Sequence, residues 1–466
     1  MNKTRWGSQI GFILATAGSA IGLGNIWRFP YVAGQNGGGS FLILYLICVF
    51  GLGYFMVMGK LAFGRIGRVN LIDGFESAAQ KVNKNVSSWW GKLGGGLALF
   101  NALAVNSIYV IVISWTLFYF CESLQIMFQG TSSKLTVDIF NTLKFSFTHQ
   151  FFYSLVCILV TSFVLIRGVK KGIETFSKWL MPLLFILLVF LAVRMLFLPD
   201  AIKGIMFFLT PDLSYMGITE NGFSFKAFGD LFLKALGQSI YSLSMGMGVI
   251  YIYGSYLTNK SDIIKSTRWI VFLDTLVSFL AGIIIFSAVF AFNLEATGGP
   301  SLTFISLPLV FSQVIGGIFL QTIFFLLLFI AALTSLISIY EAVVNMLIDK
   351  WYMNRLWATI LTATFNVIGL TVILISSTGV MSSWRIGKKD FFDILEMITG
   401  TYTMSIMALI CTIFIGWIIS TSVIRNLQVG HSQKLSHFFK RYIRFTLRFF
   451  APLSFILLIF HAFFVK

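Results

Sequence analysis

Long apolar runs, separated by short polar or basic turns, follow one another along almost the whole chain. The first covers residues 10–32. Others of similar length follow at about 40–63, 95–124, 151–167, 174–198, 231–256, 268–293, 316–348, 356–376, 391–421 and 446–464. Roughly twenty consecutive apolar residues make a helix long enough to cross the hydrocarbon of a bilayer. The pattern therefore predicts an all-α membrane protein of about eleven transmembrane helices, with the lipid bilayer as its solvent. The stretches at about 125–150 and 199–230 are the long connections and have room for short helices. The connection at 294–315 combines turn residues (Gly298, Gly299, Pro300, Pro308) with apolar content, which predicts a re-entrant or capping segment.

Two of these runs are interrupted. The first carries Gly18, Gly22, Gly24, Asn25, Arg28 and Pro30, and the sixth carries Gly237, Gln238, Ser239, Ser242, Ser244, Gly246 and Gly248. In a helix interior Gly costs roughly 1 kcal/mol against Ala, and Pro about 3. Backbone groups freed at membrane depth persist only where they are buried in protein or line a polar cavity. Small residues also serve tight helix packing, so glycines alone leave packing and cavity both open. The second interrupted run comes five spans after the first, and paired broken spans in corresponding halves point to a transport site between repeats. On this reading the freed carbonyls hold ions and the freed N–H groups hold an anionic part of a substrate.

Composition narrows the class. The 466 residues are 57% hydrophobic with a mean hydropathy of +0.88. A net charge of +17 would suit nucleic acid, but the Lys and Arg residues are spread over short loops, which fits membrane orientation instead. Most fall in the segments that are cytoplasmic if the N-terminus is inside, including Lys3/Arg5, Arg65/Arg68/Lys81/Lys84, Arg167/Lys170/Lys171 and Lys440/Arg441/Arg444/Arg448. The N-terminus is thus expected in the cytoplasm and Lys466 outside. The first run is too long for a signal peptide and is kept as a span. Cys48, Cys121, Cys157 and Cys411 lie in or beside apolar runs without close pairing and read as core residues. His149, His431, His437 and His461 are scattered, and no hydrolase, zinc or nucleotide-binding motif occurs. An enzyme or an ATP-driven pump is not expected.

Polar residues inside the spans are the candidates for chemistry. Asp274 is the only ionisable residue between Arg268 and Glu295. It is either a protonated or helix-paired acid, or a ligand for a hard cation, which takes oxygen donors. Ala331, Thr334 and Ser335 share one face of the eighth span by their i, i+3, i+4 spacing. Their hydroxyls either bond the preceding turn or face a site. Asp393 and Glu396 near the outer end of the tenth span are a solvated pair or stand across an entrance from Arg28. Glu341 and Asp349 lie toward the inner end of the eighth span, within reach of Lys3 or Arg5.

Trp6, the run 18–30 and the stretch Gln35, Asn36, Gly37, Gly38, Gly39 closely resemble the opening of the neurotransmitter:sodium symporter family, which couples solutes to sodium and often chloride. The likeness continues through Gly64-Arg65, Tyr109 with Ser114-Trp115, Gly237-Gln238, Ala281-Gly282 and Leu333-Thr334-Ser335, and so covers nearly the whole chain. Eleven spans with short termini are similar to the bacterial branch, implying the plasma membrane of a bacterium (the inner membrane if Gram-negative) and a monomer or weak dimer. The resemblance implies an inverted repeat, 1–198 against 231–421, with 446–464 as an extra helix. It implies two sodium sites: Ala20 (backbone), Asn25, Ser242 and Asp274 for one, and Gly18 and Ile21 (backbone), Ala331, Thr334 and Ser335 for the other. The substrate positions it implies are Ser19, Ala20, Leu23, Gly24, Tyr109, Tyr241, Ser242, Ser244, Met247, Ser335 and Ile339. Arg28 with Glu396 is similar to an outer gate, and Lys3 with Asp349, supported by Tyr256, to an inner one.

Amine-transporting relatives place an Asp at the position of Gly22, so a chain with Gly there expects a substrate that brings its own carboxylate. Tyr109, Tyr241, Met247 and Ile339 leave an apolar side-chain pocket, which predicts a neutral, hydrophobic or aromatic L-amino acid. Chloride-dependent members usually have Asn at the position of Asp274 and use chloride near Ser278; an Asp supplies that negative charge itself, so no chloride is expected. Gly172 and Pro182 fit a family pattern that loosens the fifth span. Two residues depart from the family. Lys60 replaces a usual Glu that partners the broken sixth helix; it either snorkels to the cytoplasmic face or points inward and alters charge at the site. Lys3 replaces a usual Arg and lacks its bidentate fork. The expectation is sodium-coupled import by alternating access. The alternative is a sodium-dependent amino-acid binding or sensor protein with little or no transport.

Overall fold

Helices form where the apolar runs place them, and the two interrupted runs are the two that break. The computed structural model describes residues 5–82, 88–129, 137–220, 222–293, 302–381 and 389–464. Among these, nine continuous helices are long and apolar enough to cross a membrane: Gly39–Gly67, Gly91–Gln129, Phe147–Ile166, Val169–Leu196, Ile263–Ala291, Gly317–Trp351, Arg355–Ser377, Phe391–Ile418 and His437–Phe463. The first span is a bent pair, Gln9–Ala20 and Gly24–Gln35, whose axes differ by 53°. The sixth is Phe225–Ser242 followed by Val249–Ser255. Its outer half carries Lys226, Asp230 and Lys234 and its inner half has only 7 residues, so neither passes as a span alone. The eleven apolar runs thus become nine straight helices and two broken ones.

Side-chain periodicity sets the place of each helix. Along the fifth span, Ser177, Met181, Leu184, Leu188, Leu191 and Met195 are buried at helical spacing, while Trp179, Ile186 and Phe190 point outward. One face packs and the other meets lipid. The eighth span is different: 83% of its most apolar window is buried, so it runs through the middle of the bundle. The first and sixth spans flank it, and their breaks lie against its centre and against the third and seventh spans.

Close backbone approach fixes the second span to the sixth. A Cβ on Gly64 would fall on the Tyr251 carbonyl, and one on Gly254 would lie 2.5 Å from the Leu61 oxygen. In the last turn of the second span Arg65 is 2% exposed. It donates to the carbonyls of Ser261 at 2.6 Å and Val429 at 3.2 Å and to Asn426 Oδ1 at 2.7 Å, tying the connection after the sixth span to the one after the tenth. The long connections do carry short helices, Val137–Phe145 and Ala201–Leu209, and a hairpin pairs Ile218 with Phe223. The expected capping segment is in part the apolar helix Leu302–Ser312; residues 294–301 lie outside the described residues. Its Phe304 ring stands edge-on 6.0 Å from Trp27 and 5.7 Å from Trp115.

Gly64→Ala is expected to destabilise the protein by about 1–3 kcal/mol through overpacking, seen as a lower midpoint of thermal unfolding in detergent. Gly96, a helical position where an added methyl group would have no neighbour within 4 Å, is the matched control, and Gly96→Ala should leave the midpoint unchanged or raise it, because Ala costs less than Gly in a helix.

Candidate functional site

The break in the first span starts at Ile21, whose backbone turns extended (φ −67°, ψ 112°) after Ala20. Gly22 N–H then finds Asn25 Oδ1 at 3.2 Å, and Asn25 N–H finds the Gly22 carbonyl at 3.1 Å. Helical N–H partners are thereby lost to the last carbonyls of the inner half, and the eighth span meets them. Thr334 Oγ1 donates toward the Gly18 carbonyl at 2.9 Å and the Ala331 carbonyl at 3.0 Å. Ser335 Oγ lies 3.0 Å from the Ile21 carbonyl and 3.3 Å from those of Gly18 and Ala331. The two alternatives for these hydroxyls are both realised: each touches its own preceding turn and the broken span. Gly18, Ile21, Ala331, Thr334 and Ser335 thus converge as sequence reasoning grouped them. Their oxygens outnumber the two hydroxyl protons, and none is a carboxylate. That donor set suits a hard monovalent cation.

The second polar cluster lies on the other side of the break. Asn25 Nδ2 is 2.8 Å from Asp274 Oδ1, 2.9 Å from Ser242 Oγ, 2.9 Å from Ser278 Oγ and 3.1 Å from the Asp274 carbonyl. Ser242 donates to Asp274 Oδ2 at 2.7 Å, and the Tyr45 hydroxyl lies 3.4 Å from both serines. One amide nitrogen has two protons for these four oxygens. Asp274 is fully buried, and among the described residues no Lys or Arg pairs with it. A carboxylate held by neutral donors alone, at membrane depth, is short of positive charge, and its oxygens are of the kind a hard cation takes. The pairing runs across helices to the first and sixth spans.

Between the clusters opens a cavity of about 340 Å³, within the usual range for small-molecule sites. Ser19, Ala20, Leu23, Gly24, Tyr109, Tyr241, Ser244, Met247, Ser335 and Ile339 all line it. Ser242 does not: its hydroxyl turns away to Asp274. Sequence reasoning missed Val105, Ile108 and Val112 of the third span and Met404 of the tenth, which form apolar wall. The third-span three lie four before, one before and three after Tyr109, a helical stripe that Tyr109 itself points to. On the polar side, Leu23 N–H donates to the Tyr109 hydroxyl at 3.3 Å. Gly22 also lines the cavity, and a Cβ there would meet Tyr109 Oη at 2.7 Å and Ser335 Oγ at 2.8 Å.

The two ends of the cavity differ. Arg28 and Glu396 both line its outer part, yet they form no ion pair among the described residues. Arg28 instead donates to Gln238 Oε1 at 2.9 Å and stacks 4.5 Å over the Tyr241 ring. Gln238 in turn donates to the Gly24 carbonyl at 2.8 Å, linking the two broken spans. Asp393 stays exposed on the helix Phe391–Glu396. The inner end is latched. Trp6 Nε1 donates to the Tyr253 carbonyl at 3.0 Å, and Glu174 accepts from Gly7 N–H at 2.6 Å and Ser8 Oγ at 2.7 Å. Tyr256 donates to Glu341 at 2.6 Å and accepts from Asn345 at 3.0 Å. Loop charge offers Glu341 a partner in Lys3 or Arg5; among the described residues it pairs with Arg355, because a short turn after Trp351 brings the start of the ninth span back over the eighth. Lys3 lies outside the described residues, and Asp349 is exposed. At one end of the cavity the Arg28–Glu396 pair is not formed among the described residues, while at the other the contacts of Trp6, Glu174 and Tyr256 are closed.

The profile of the sodium:neurotransmitter symporter family matches residues 3–142 and 138–466. An uncharacterized sodium-dependent transporter of Haemophilus influenzae is 34% identical over 457 residues, spanning 95% of this chain and 96% of that one. Another, from Bacillus subtilis, is 34% identical over 466 residues, 97% of this chain and 96% of its own. The crystal structure of MhsT in complex with L-phenylalanine superposes with a TM-score of 0.86 at 31% identity, over 99% of this chain and 100% of that one.

Removing both eighth-span hydroxyls, as Thr334→Val with Ser335→Ala, should raise the sodium concentration for half-maximal effect roughly tenfold or more, about 1.4 kcal/mol. Sodium titration of thermal stability in the purified protein measures it; an unchanged titration would remove these residues from the ion site.

Proposed function

The chain belongs to the sodium:neurotransmitter symporter family, and from that footing we propose that it imports a neutral, hydrophobic or aromatic L-amino acid together with two sodium ions, by alternating access and without chloride. The observation that carries the reading is the cavity at the first-span break. Its polar end offers Leu23 N–H and the Tyr109 hydroxyl, and Gly22 leaves no room beside Tyr109 and Ser335 for an acidic side chain. A fixed anion for an amine is absent from that wall, so a carboxylate on the substrate fits the freed N–H groups and one sodium ion. The remaining wall, with Val105, Ile108, Tyr241, Met247, Ile339 and Met404, suits an apolar side chain, and the flexible methionines adapt to its shape. The phenylalanine in the similar MhsT structure supports the same class.

The driving force follows from charge. Sodium entering a negative-inside cell gains ~2.3 kcal/mol per charge per 100 mV. Two ions carried with a zwitterion gain ~4.6 kcal/mol, enough for roughly 2,000-fold accumulation before any sodium gradient is counted. Asp274 supports chloride independence, because its carboxylate already brings a negative charge to the Asn25, Ser242, Ser278 and Tyr45 cluster. Closure of Arg28 toward Glu396 and release of the Tyr256–Glu341–Arg355 network are the steps that expose the cavity to the other side. The chain then sits with its N-terminus in the cytoplasm, in a bacterial plasma membrane, and 1–198 and 231–421 act as the two inverted halves. The inward turn of Lys60 keeps a second reading in play, a sodium-dependent binding protein that does not transport.

Uptake into proteoliposomes with an inward sodium gradient separates these readings. The expected result is saturable, sodium-dependent uptake, competed by apolar and aromatic L-amino acids and unchanged when gluconate replaces chloride. Preference for Glu, Lys or amines would overturn the substrate class, loss without chloride would overturn the role of Asp274, and binding without uptake would favour the non-transporting protein.

A further inference from the structure

None of the proposed transport steps uses Lys60, yet it is buried in the middle of the second span, 4% exposed. It does not snorkel to the cytoplasmic face; its ammonium turns inward and donates to the Met245 carbonyl in the break of the sixth span. Among the described residues no carboxylate pairs with it. A lone ammonium at membrane depth is costly and marks a functional constraint.

The surroundings show what that constraint is. The second span runs along both halves of the sixth. Gly53 lies against Leu243, where an added Cβ would come 2.5 Å from Cδ1, and Gly64 lies against the backbone at Tyr251. Lys60 stands between these two glycines, level with the residues that leave the helix. There the backbone is forced into left-handed geometry at Ser244 (φ 49°) and Gly248 (φ 75°), so carbonyls of the break face neighbouring spans instead of the next helical turn. Lys60 takes that of Met245. Asn101 Nδ2 of the third span takes that of Gly246 at 3.1 Å, and Thr403 of the tenth span donates to Asn101 Oδ1, fixing which end of the amide faces Gly246. On either side of these two clamped carbonyls, Ser244 and Met247 line the substrate cavity.

We propose that Lys60 is a positioning residue which, with Asn101, clamps the carbonyls of Met245 and Gly246 and so holds Ser244 and Met247 in the substrate wall. Position 60 must therefore carry a hydrogen-bond donor. A carboxylate, the residue type expected there from the family resemblance, only accepts when ionised and would face the Met245 oxygen with its own. The clamp itself stands on geometry; its effect on selectivity rests on the reading of the cavity as an amino-acid site.

Two measurements keep those parts separate. Hydrogen exchange across residues 240–248 needs no ligand: Ser244 N–H bonds the Tyr241 carbonyl and Met245 N–H the Ile240 carbonyl, both at 3.1 Å. In Lys60→Met, which keeps length and removes the donor, exchange in this segment should accelerate roughly tenfold or more, with the eighth span unchanged. Lys60→Gln, a neutral donor, should restore wild-type exchange, and Lys60→Glu should exchange at least as fast as Lys60→Met. Competition binding with alanine and phenylalanine in sodium then reads the wall, and the preference between them should flatten in Lys60→Met and return in Lys60→Gln. Wild-type exchange in Lys60→Met or in Lys60→Glu would overturn the clamp, as would a Lys60→Gln variant no better than Lys60→Met. If wild-type protein binds neither amino acid, the substrate reading fails while the exchange result still decides the clamp.

Discussion

A polypeptide at membrane depth has no water to bond its backbone, so each carbonyl and N–H released from a helix must meet another group. The break between Ala20 and Gly24 releases several at once, and most of the site follows from how they are met. Thr334 and Ser335 of the eighth span gather carbonyls on one side. Asn25 gathers Ser242, Ser278 and Asp274 on the other. Leu23 N–H turns to Tyr109. The first two solutions gather several oxygens around few donors, which is where the proposed cations would sit, and the Leu23 side is where the proposed substrate would bring its anionic group.

This sharing makes coupling a consequence of geometry. Ser335 belongs to the candidate ion cluster and to the cavity wall, and Ala20 and Leu23 are joined to Asn25 by the same short stretch of chain. An ion that orders the break also orders the cavity. Gating uses the same span: Arg28 rides on its outer half, and Trp6, Gly7 and Ser8 precede its inner half. In the proposed cycle, closing above and opening below therefore both move segments that carry the candidate ion ligands.

Much of this is legible in the sequence, for a physical reason. Glycines, an Asn and hydroxyls inside an apolar run are costly in a plain helix, so Gly18, Gly22, Asn25, Ser242 and Ser244 announce the breaks. The grouping of Gly18, Ile21, Ala331, Thr334 and Ser335 comes from family resemblance, and the fold brings those atoms together. Three features are out of reach. Val105, Ile108 and Val112 share a helical stripe with Tyr109, but residue type does not set that stripe apart from any apolar helix face until the cavity is located. Glu341 finds Arg355 because of a helix-to-helix turn, which loop charge does not encode. The direction of Lys60 depends on which backbone atom of the sixth-span break faces it, a carbonyl here, and residue type alone does not fix that.

With ions and substrate meeting on one broken helix, as proposed, each should strengthen the other by the same factor. The direct test is thermal stabilisation of purified protein by sodium and by an apolar L-amino acid, separately and together, with potassium as the control cation. The account predicts that the amino acid stabilises only when sodium is present, and that the amino acid lowers the sodium concentration needed by the factor by which sodium raises amino-acid affinity. Equal stabilisation by the amino acid in sodium and in potassium would contradict it.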